Sequence, residues 1–240
     1  SRTKAKIVVH DIKQSIYSLL TDPHLMNDDN LLFHSDDPTA SPPEKIPIIG
    51  DVHTGSLYSD GWKKYCTLPG DVLCALIFFI DKTHTDENGN LCLEPVSFTL
   101  SIFNRETRYK PNAWRTLGFV SNVDMNKKIR GMNASTKKAI DYHAILDTIF
   151  APLRGLQASS GLAWDLKYKG KINRVLFKFP VMFITGDTEG HDKMVGKFLN
   201  RTRNVERLCR YCDCPTMETG NPFVKYEYVK QASVERLIKQ

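Results

Sequence analysis

Two strand-sized apolar runs, each ending in an aspartate, constrain this chain more than any other feature. Leu76-Ile-Phe-Phe-Ile80 runs into Asp81, and Phe179-Pro-Val-Met-Phe-Ile184 leads through Gly186 into Asp187. Bulky runs of this length read as buried strands. A carboxylate emerging from the end of such a strand is expensive to bury unless it is paired or bound to metal. If the two strands lie side by side, the carboxylates face a common site. Hard oxygen ligands suit Mg²⁺ or Mn²⁺. Two such ions, about 3.5–4 Å apart, can activate an attacking water or 3′-hydroxyl and stabilise the leaving oxygen of an in-line phosphodiester displacement. Each aspartate alone also fits a plainer role, ending a strand or, for Asp187, capping the helix that follows. Asp86 and Glu87 fall in a turn signal. Glu189, His191 and Asp192 fall in the first turn of the following helix, where acids suit the helix dipole; His191 is also placed to reach a metal or a phosphate.

The pattern around these runs predicts a mixed α/β order. Ile7 to Leu20 has helical spacing, and Asp22 to Lys45 is polar and Pro-containing, a linker. Ile46 to Tyr65 reads as irregular structure feeding the core. Val72 to Ile80, Pro95 to Phe103 and Ala113 to Val120 read as three strands whose short connections favour an antiparallel meander. Lys137 to Leu156 carries apolar residues at helical intervals: Ile140, Ala144, Ile145, Ile149 and Leu153. A hairpin follows around Lys169-Gly170-Lys171, its second arm continuing past Pro180 toward Asp187. A helix is expected over Thr188 to Leu199 and a final one over Val229 to Lys239. Strand, strand, strand, helix, parallel strand, helix is the order of the RNase H-like fold. The expected organisation is an N-terminal helix and linker over 1–45, an RNase H-like core over 46–200, and a Cys-rich segment opening a helical insertion over 201–240.

The 240 residues carry 41% hydrophobic and 25% charged side chains, ordinary for a globular chain. No apolar run approaches the roughly 20 residues that span a bilayer, so no membrane partner is expected. The first residue is Ser1 and the last residues read as a helix cut short, so the chain is expected to be an excerpt from a longer protein. The net charge of +6 and pI near 8.9 are compatible with a polyanionic partner. Basic residues gather at Arg105, Arg108, Lys110 and Arg115, at Lys127, Lys128, Arg130, Lys137 and Lys138, and from Lys197 to Arg210, with Lys82 beside the first acid. With Tyr109, Trp114, Trp62 and Tyr211 nearby, they are candidates for following a phosphate backbone; solvated faces and core aromatics are the plainer alternative. Cys209-x-x-Cys212-x-Cys214 has the spacing of a partial structural zinc site, its fourth ligand being His191 or a residue beyond Gln240.

The ordered set of motifs resembles Plavaka-type transposases, eukaryotic DDE/D transposases related to the CACTA group. The resemblance runs from Thr54-Gly55, Trp62 and Leu68-Pro-Gly70 through Leu76-Ile-Phe-Phe-Ile-Asp-Lys-Thr-His-Thr85. It continues through Pro95 to Asn104, the basic stretch Arg105 to Arg115, Leu117-Gly-Phe-Val120, Gly186-Asp187 and Cys209-Arg-Tyr-Cys212-Asp-Cys214. It implies metal-dependent DNA cleavage and strand transfer, with Asp81 and Asp187 as the first two catalytic acids, Mg²⁺ or Mn²⁺ as cofactor, DNA as partner, a homo-oligomer on paired ends, and a nuclear location. The family's third acid has no convincing match: Glu218, Glu227 and Glu235 are available, and the simplest expectation places it outside this chain. A transposase descendant that binds DNA without cleaving it is the alternative.

Overall fold

The computed structural model describes residues 7–44, 48, 50–84, 92–121, 134–194, 212, 214–218, 221 and 225. Among these lie helices α1 (Ile12–Leu20), α2 (Ser56–Tyr65), α3 (Arg105–Arg108), α4 (Ala134–Ala158) and α5 (Thr188–Met194). The strands are β1 (Asp71–Leu73), β2 (Leu76–Ile80), β3 (Thr83–His84), β4 (Cys92–Leu100), β5 (Arg115–Ser121), β6 (Leu162–Tyr168), β7 (Lys171–Lys178) and β8 (Val181–Thr185). Residues 1–187 form one compact unit and 188–240 a second.

The chain is a mixed α/β protein with two sheets. The larger holds the expected meander: β2 pairs antiparallel with β4, and β4 with β5. After the helix α4 and a hairpin, β8 pairs parallel with β2 on the edge away from β4. The smaller sheet has the order β1-β7-β6, with β1 parallel to β7 and β6 antiparallel to it.

The apolar run expected to be one strand, Val72 to Ile80, is therefore two strands in two sheets. Cys74 and Ala75, both fully buried, form the bend. The second arm bends at the same level, at Phe179 and Pro180. Backbone bonds tie the bends together: the Cys74 N–H donates to the Lys178 carbonyl (2.9 Å) and the Leu76 N–H to the Pro180 carbonyl (2.8 Å). Pro180 has no N–H to return, which suits a place where a ladder is interrupted. From the β4 side, the Ala75 N–H donates to the Ser101 hydroxyl (2.8 Å) and the Ser101 N–H to the Ala75 carbonyl (2.9 Å). Every backbone polar group named at this buried corner has a partner, as burial demands.

Helix α4 lies over the larger sheet, with Phe150 edge-on to Phe78 (centroids 5.2 Å) and Ile149 against Gly118. A Cβ on Gly118 would stand 3.0 Å from the Val8 carbonyl and 3.2 Å from Ile149, so glycine lets helix and strand close up. The ridge α4 buries is Tyr142, Ile145, Leu146, Ile149, Leu153 and Leu156; Ile140, expected inside, is exposed. Residues expected to be irregular contain α2, whose Gly61 faces Met182 and Leu73.

Helix α1 begins later than its periodicity predicts. Asp11 caps it by accepting from the Gln14 N–H (2.9 Å), while Val9 and His10 run extended beside Gly118 and Leu117. The segment read as a linker packs into the same unit, with Leu25, Leu31 and Phe33 buried. No helix among the described residues is long and apolar enough to cross a membrane.

Asp71 opens β1 almost fully buried. Its Oδ2 accepts from the Thr67 and Leu68 N–H groups (3.0 Å each), and Lys178 Nζ stands 3.2 Å from Oδ1. Removing one member of a buried ion pair strands the other, at roughly 3–5 kcal/mol. Asp71→Ala is expected to lower the urea-unfolding free energy by about that amount, with Lys178→Ala costing less because Asp71 keeps two backbone donors. An equal, small effect for both would mean that the pair holds nothing at the bend.

Candidate functional site

The two sequence-predicted acids come together through strand register. Parallel β2 and β8 set Ile77 opposite Phe183, Phe78 opposite Ile184 and Phe79 opposite Thr185. Two residues further along each chain, past the last paired residues, are Asp81 and Asp187, so continuing this register brings both to the same end of the sheet. Adjacent strands lie roughly 4.8 Å apart, within the span that a shared cation bridges. Asp81 is half-buried and Asp187 exposed. The Asp81 Oδ1 accepts from the Lys82 N–H at 2.8 Å, which turns one carboxylate oxygen back on its own backbone.

Gly186 precedes the second acid and faces Ile80, the residue before the first. A Cβ built there would meet the Ile80 carbonyl oxygen at 2.4 Å. The backbone of the second acid's strand thus approaches that of the first more closely than any side-chain-bearing residue permits. The Gly-Asp dipeptide is a packing requirement of the acid pair as much as a sequence motif.

On the other side of β2, β3 continues the pairing with β4. Ile80 faces Val96 and Thr83 faces Leu93 in one register, so Asp81 and Lys82 fall opposite Pro95 and Glu94. The gap in the strand at Asp81 thus lies beside a proline, a residue with no N–H for a ladder. Glu94 is buried, as is Tyr142 of α4. Burial, and then the charges of Glu94 and Asp187, push the Tyr142 phenol well above its ordinary pKa. Neither Glu94 nor Tyr142 was singled out from sequence. An isolated acid in a strand and a tyrosine in a helical stripe carry no local signal of a site; only the sheet register and the helix placement bring them beside the aspartates.

The expected basic contacts separate into kinds. Lys82 is exposed. Arg105 is exposed and lies over the ring of the exposed Tyr109, donating to its hydroxyl (3.1 Å). Lys110 Nζ stands 3.5 Å from Asn30 Oδ1. Arg108 is engaged inside the fold, donating to the Phe103 carbonyl and pairing with Asp51. Arg115 ties α1 to the sheet: its Nε donates to the Ser18 hydroxyl (2.7 Å) and its Nη1 to the Asn112 carbonyl (2.6 Å). Trp114 donates to the Arg108 carbonyl (2.7 Å) and Trp62 is buried. Lys127, Lys128 and Arg130 lie outside the described residues, as do Lys197 to Tyr211.

In the second unit, His191 lies within α5. Cys214 is buried and Cys212 half-buried, while Cys209 lies outside the described residues, as do Glu227, Glu235 and the helix expected at Val229 to Lys239. Among the described residues, no group of three or more His, Cys, Asp or Glu side chains is arranged to hold a metal ion. The zinc arrangement expected at the cysteines is therefore not displayed, and the aspartate pair stands without a third acid of that kind.

A protein-family model described as Plavaka transposase matches residues 1–239. No curated protein matches the chain.

Two outcomes follow from this geometry. Gly186→Ala should cost about 1–3 kcal/mol by forcing apart two backbones that have no room to separate, read by urea unfolding; an unchanged midpoint would refute the close approach. The second concerns Asp51. Burial opposes its charge, but the Val52 N–H and the Arg108 guanidinium outweigh it and hold the carboxyl below its usual pKa. A carboxyl lowered on folding contributes stability above its unfolded pKa of about 3.9, and that stability is lost as pH falls through the lower folded value. Asp51→Asn should therefore flatten the acid limb of a stability–pH curve below about pH 4; an acid limb identical to wild type would exclude the linkage.

Proposed function

This chain belongs to the Plavaka transposase family, and we propose that it supplies the catalytic core for metal-dependent DNA cleavage and strand transfer. The observation that carries the reading is the parallel register of β2 and β8, whose last pair, Phe79 and Thr185, stands two residues before Asp81 and Asp187. Three antiparallel strands, a crossover helix and a parallel strand beside the first support an RNase H-like reading of the larger sheet. The family implies DNA as partner.

The donor set fits a hard divalent cation. Two carboxylates stand at one edge of a core sheet, one half-buried and one exposed, where oxygen ligands and retained waters suit Mg²⁺ or Mn²⁺. When bound, such an ion activates the attacking oxygen and stabilises the leaving one. The chain's own contribution is positional. β2 and β8 fix the spacing of Asp81 and Asp187, and Gly186 holds the two strand ends close. Lys82, beside the first acid, and the exposed Arg105 and Lys110, which follow the other end of β4, are the cations that we assign to the DNA backbone. Tyr109, with Arg105 against its ring, offers a face on which an unpaired base can stack. Cys209, Cys212 and Cys214 are assigned to a structural zinc that braces the segment after Asp187, apart from the catalytic metal. Nuclear location and assembly as a homo-oligomer on paired DNA ends complete the reading.

Asp81→Asn and Asp187→Asn are each expected to reduce Mn²⁺-dependent nicking of DNA by the full-length protein to the background of a protein-free control, with the circular dichroism spectrum and unfolding midpoint retained. Nicking that survives in either folded variant would sink the assignment. Salt-sensitive DNA binding with no cleavage by the unsubstituted full-length protein would identify the chain as a non-catalytic descendant.

A further inference from the structure

Tyr142 is the first buried residue of the α4 ridge, eight positions before Phe150. Phe150 fixes the helix over Phe78 in the middle of β2, and eight helical residues span roughly 12 Å. Tyr142 therefore stands about two turns away along the sheet face. The other end of α4 lies at the bend, where Leu156 and Gln157 share a cleft with Pro180 and Val181, so Tyr142 lies toward the opposite, acid-bearing end of β2, where the charges of Glu94 and Asp187 act on its hydroxyl. Tyr142 is more than nine-tenths buried, and its Oη has no hydrogen-bond partner among the described residues. Buried hydroxyls are rarely left this way. A phenol bordered by two carboxylates has one proton to donate and lone pairs to offer a water.

A cation held by two aspartates, with no third acid among the described residues, keeps much of its hydration shell, and those waters need acceptors. We propose that Tyr142 is a positioning residue of the cation site: its hydroxyl receives a water of the hydrated cation and directs its own proton toward Asp187. The proposal rests on the reading of Asp81 and Asp187 as a cation site. It assigns the crossover helix a part in that site which the two strand ends alone do not supply. Tyr142 does not touch the reacting atoms; it orients what does.

The test is direct Mn²⁺ binding, followed by the loss of the free-ion electron paramagnetic resonance signal, for the 240-residue chain and two variants. Asp187→Asn should abolish binding. Tyr142→Phe, which removes one oxygen that has no protein partner, should weaken Mn²⁺ binding about tenfold, the scale on which outer partners of metal ligands act. Its metal-free unfolding midpoint should stay unchanged or rise. Wild-type Mn²⁺ affinity in Tyr142→Phe, alongside lost binding in Asp187→Asn, overturns this proposal and leaves the aspartate site standing. A lowered metal-free midpoint in Tyr142→Phe assigns the hydroxyl a packing role and overturns it too. Failure of the unsubstituted chain to bind Mn²⁺ removes the site and the proposal together.

Discussion

Everything in the first 187 residues hangs on two chain segments that run parallel and bend together. β1 and β2 form one, β7 and β8 the other, and the bends are cross-tied by the Cys74–Lys178 and Leu76–Pro180 backbone bonds. On one side of the bend the pair accepts β6, and on the other it accepts β4. Register is the sensitive quantity. A slip of one residue exchanges the two faces of a strand, which would push Phe78 away from α4 and shift Asp81 relative to Asp187. The buried Asp71–Lys178 pair stands where such a slip would start, spanning the two segments just before the bend.

Much of this order was legible in the sequence because bulk and periodicity report burial. The meander, the long helix, the hairpin and the two acids at strand ends all follow from local patterns. The bend did not, and the reason is physical. Residues on both sides of Cys74 and Ala75 are equally buried, so hydrophobicity alone cannot say that the neighbours change there. Helix α2 was hidden by Gly61, which weakens helix propensity but is needed for close packing on Met182 and Leu73. In α4 the period was visible and its phase was not. Ile140 is the more hydrophobic residue, yet Tyr142 is the one turned inward, because the helix begins its contact with the sheet at the polar, acid-bearing end.

Charge was the least legible property. Four cations within eleven residues, Arg105 to Arg115, look alike as a cluster, and folding gives them different tasks. Arg108 joins Asp51 and a backbone carbonyl, Arg115 fastens α1, Lys110 approaches Asn30, and Arg105 remains at the surface against Tyr109. Sequence proximity cannot separate these roles, because each is decided by a partner 57 to 97 residues away or by local exposure. The same holds for Glu94, which pairs across the sheet with Val120.

The hairpin that joins β6 to β7 closes through Lys169 and Gly170, both with positive φ, a tight two-residue reversal steadied by the Lys169 N–H on Asp28. This tip stands at the far end of β7 from the bend, with the whole strand between them. The smaller sheet thus continues from the larger through the two bends, and its outer margin can lengthen, shorten or change composition while the inner corner keeps its geometry. A change at that tip falls at a distance from the carboxylates, which follow β2 and β8 on the other side of the bends.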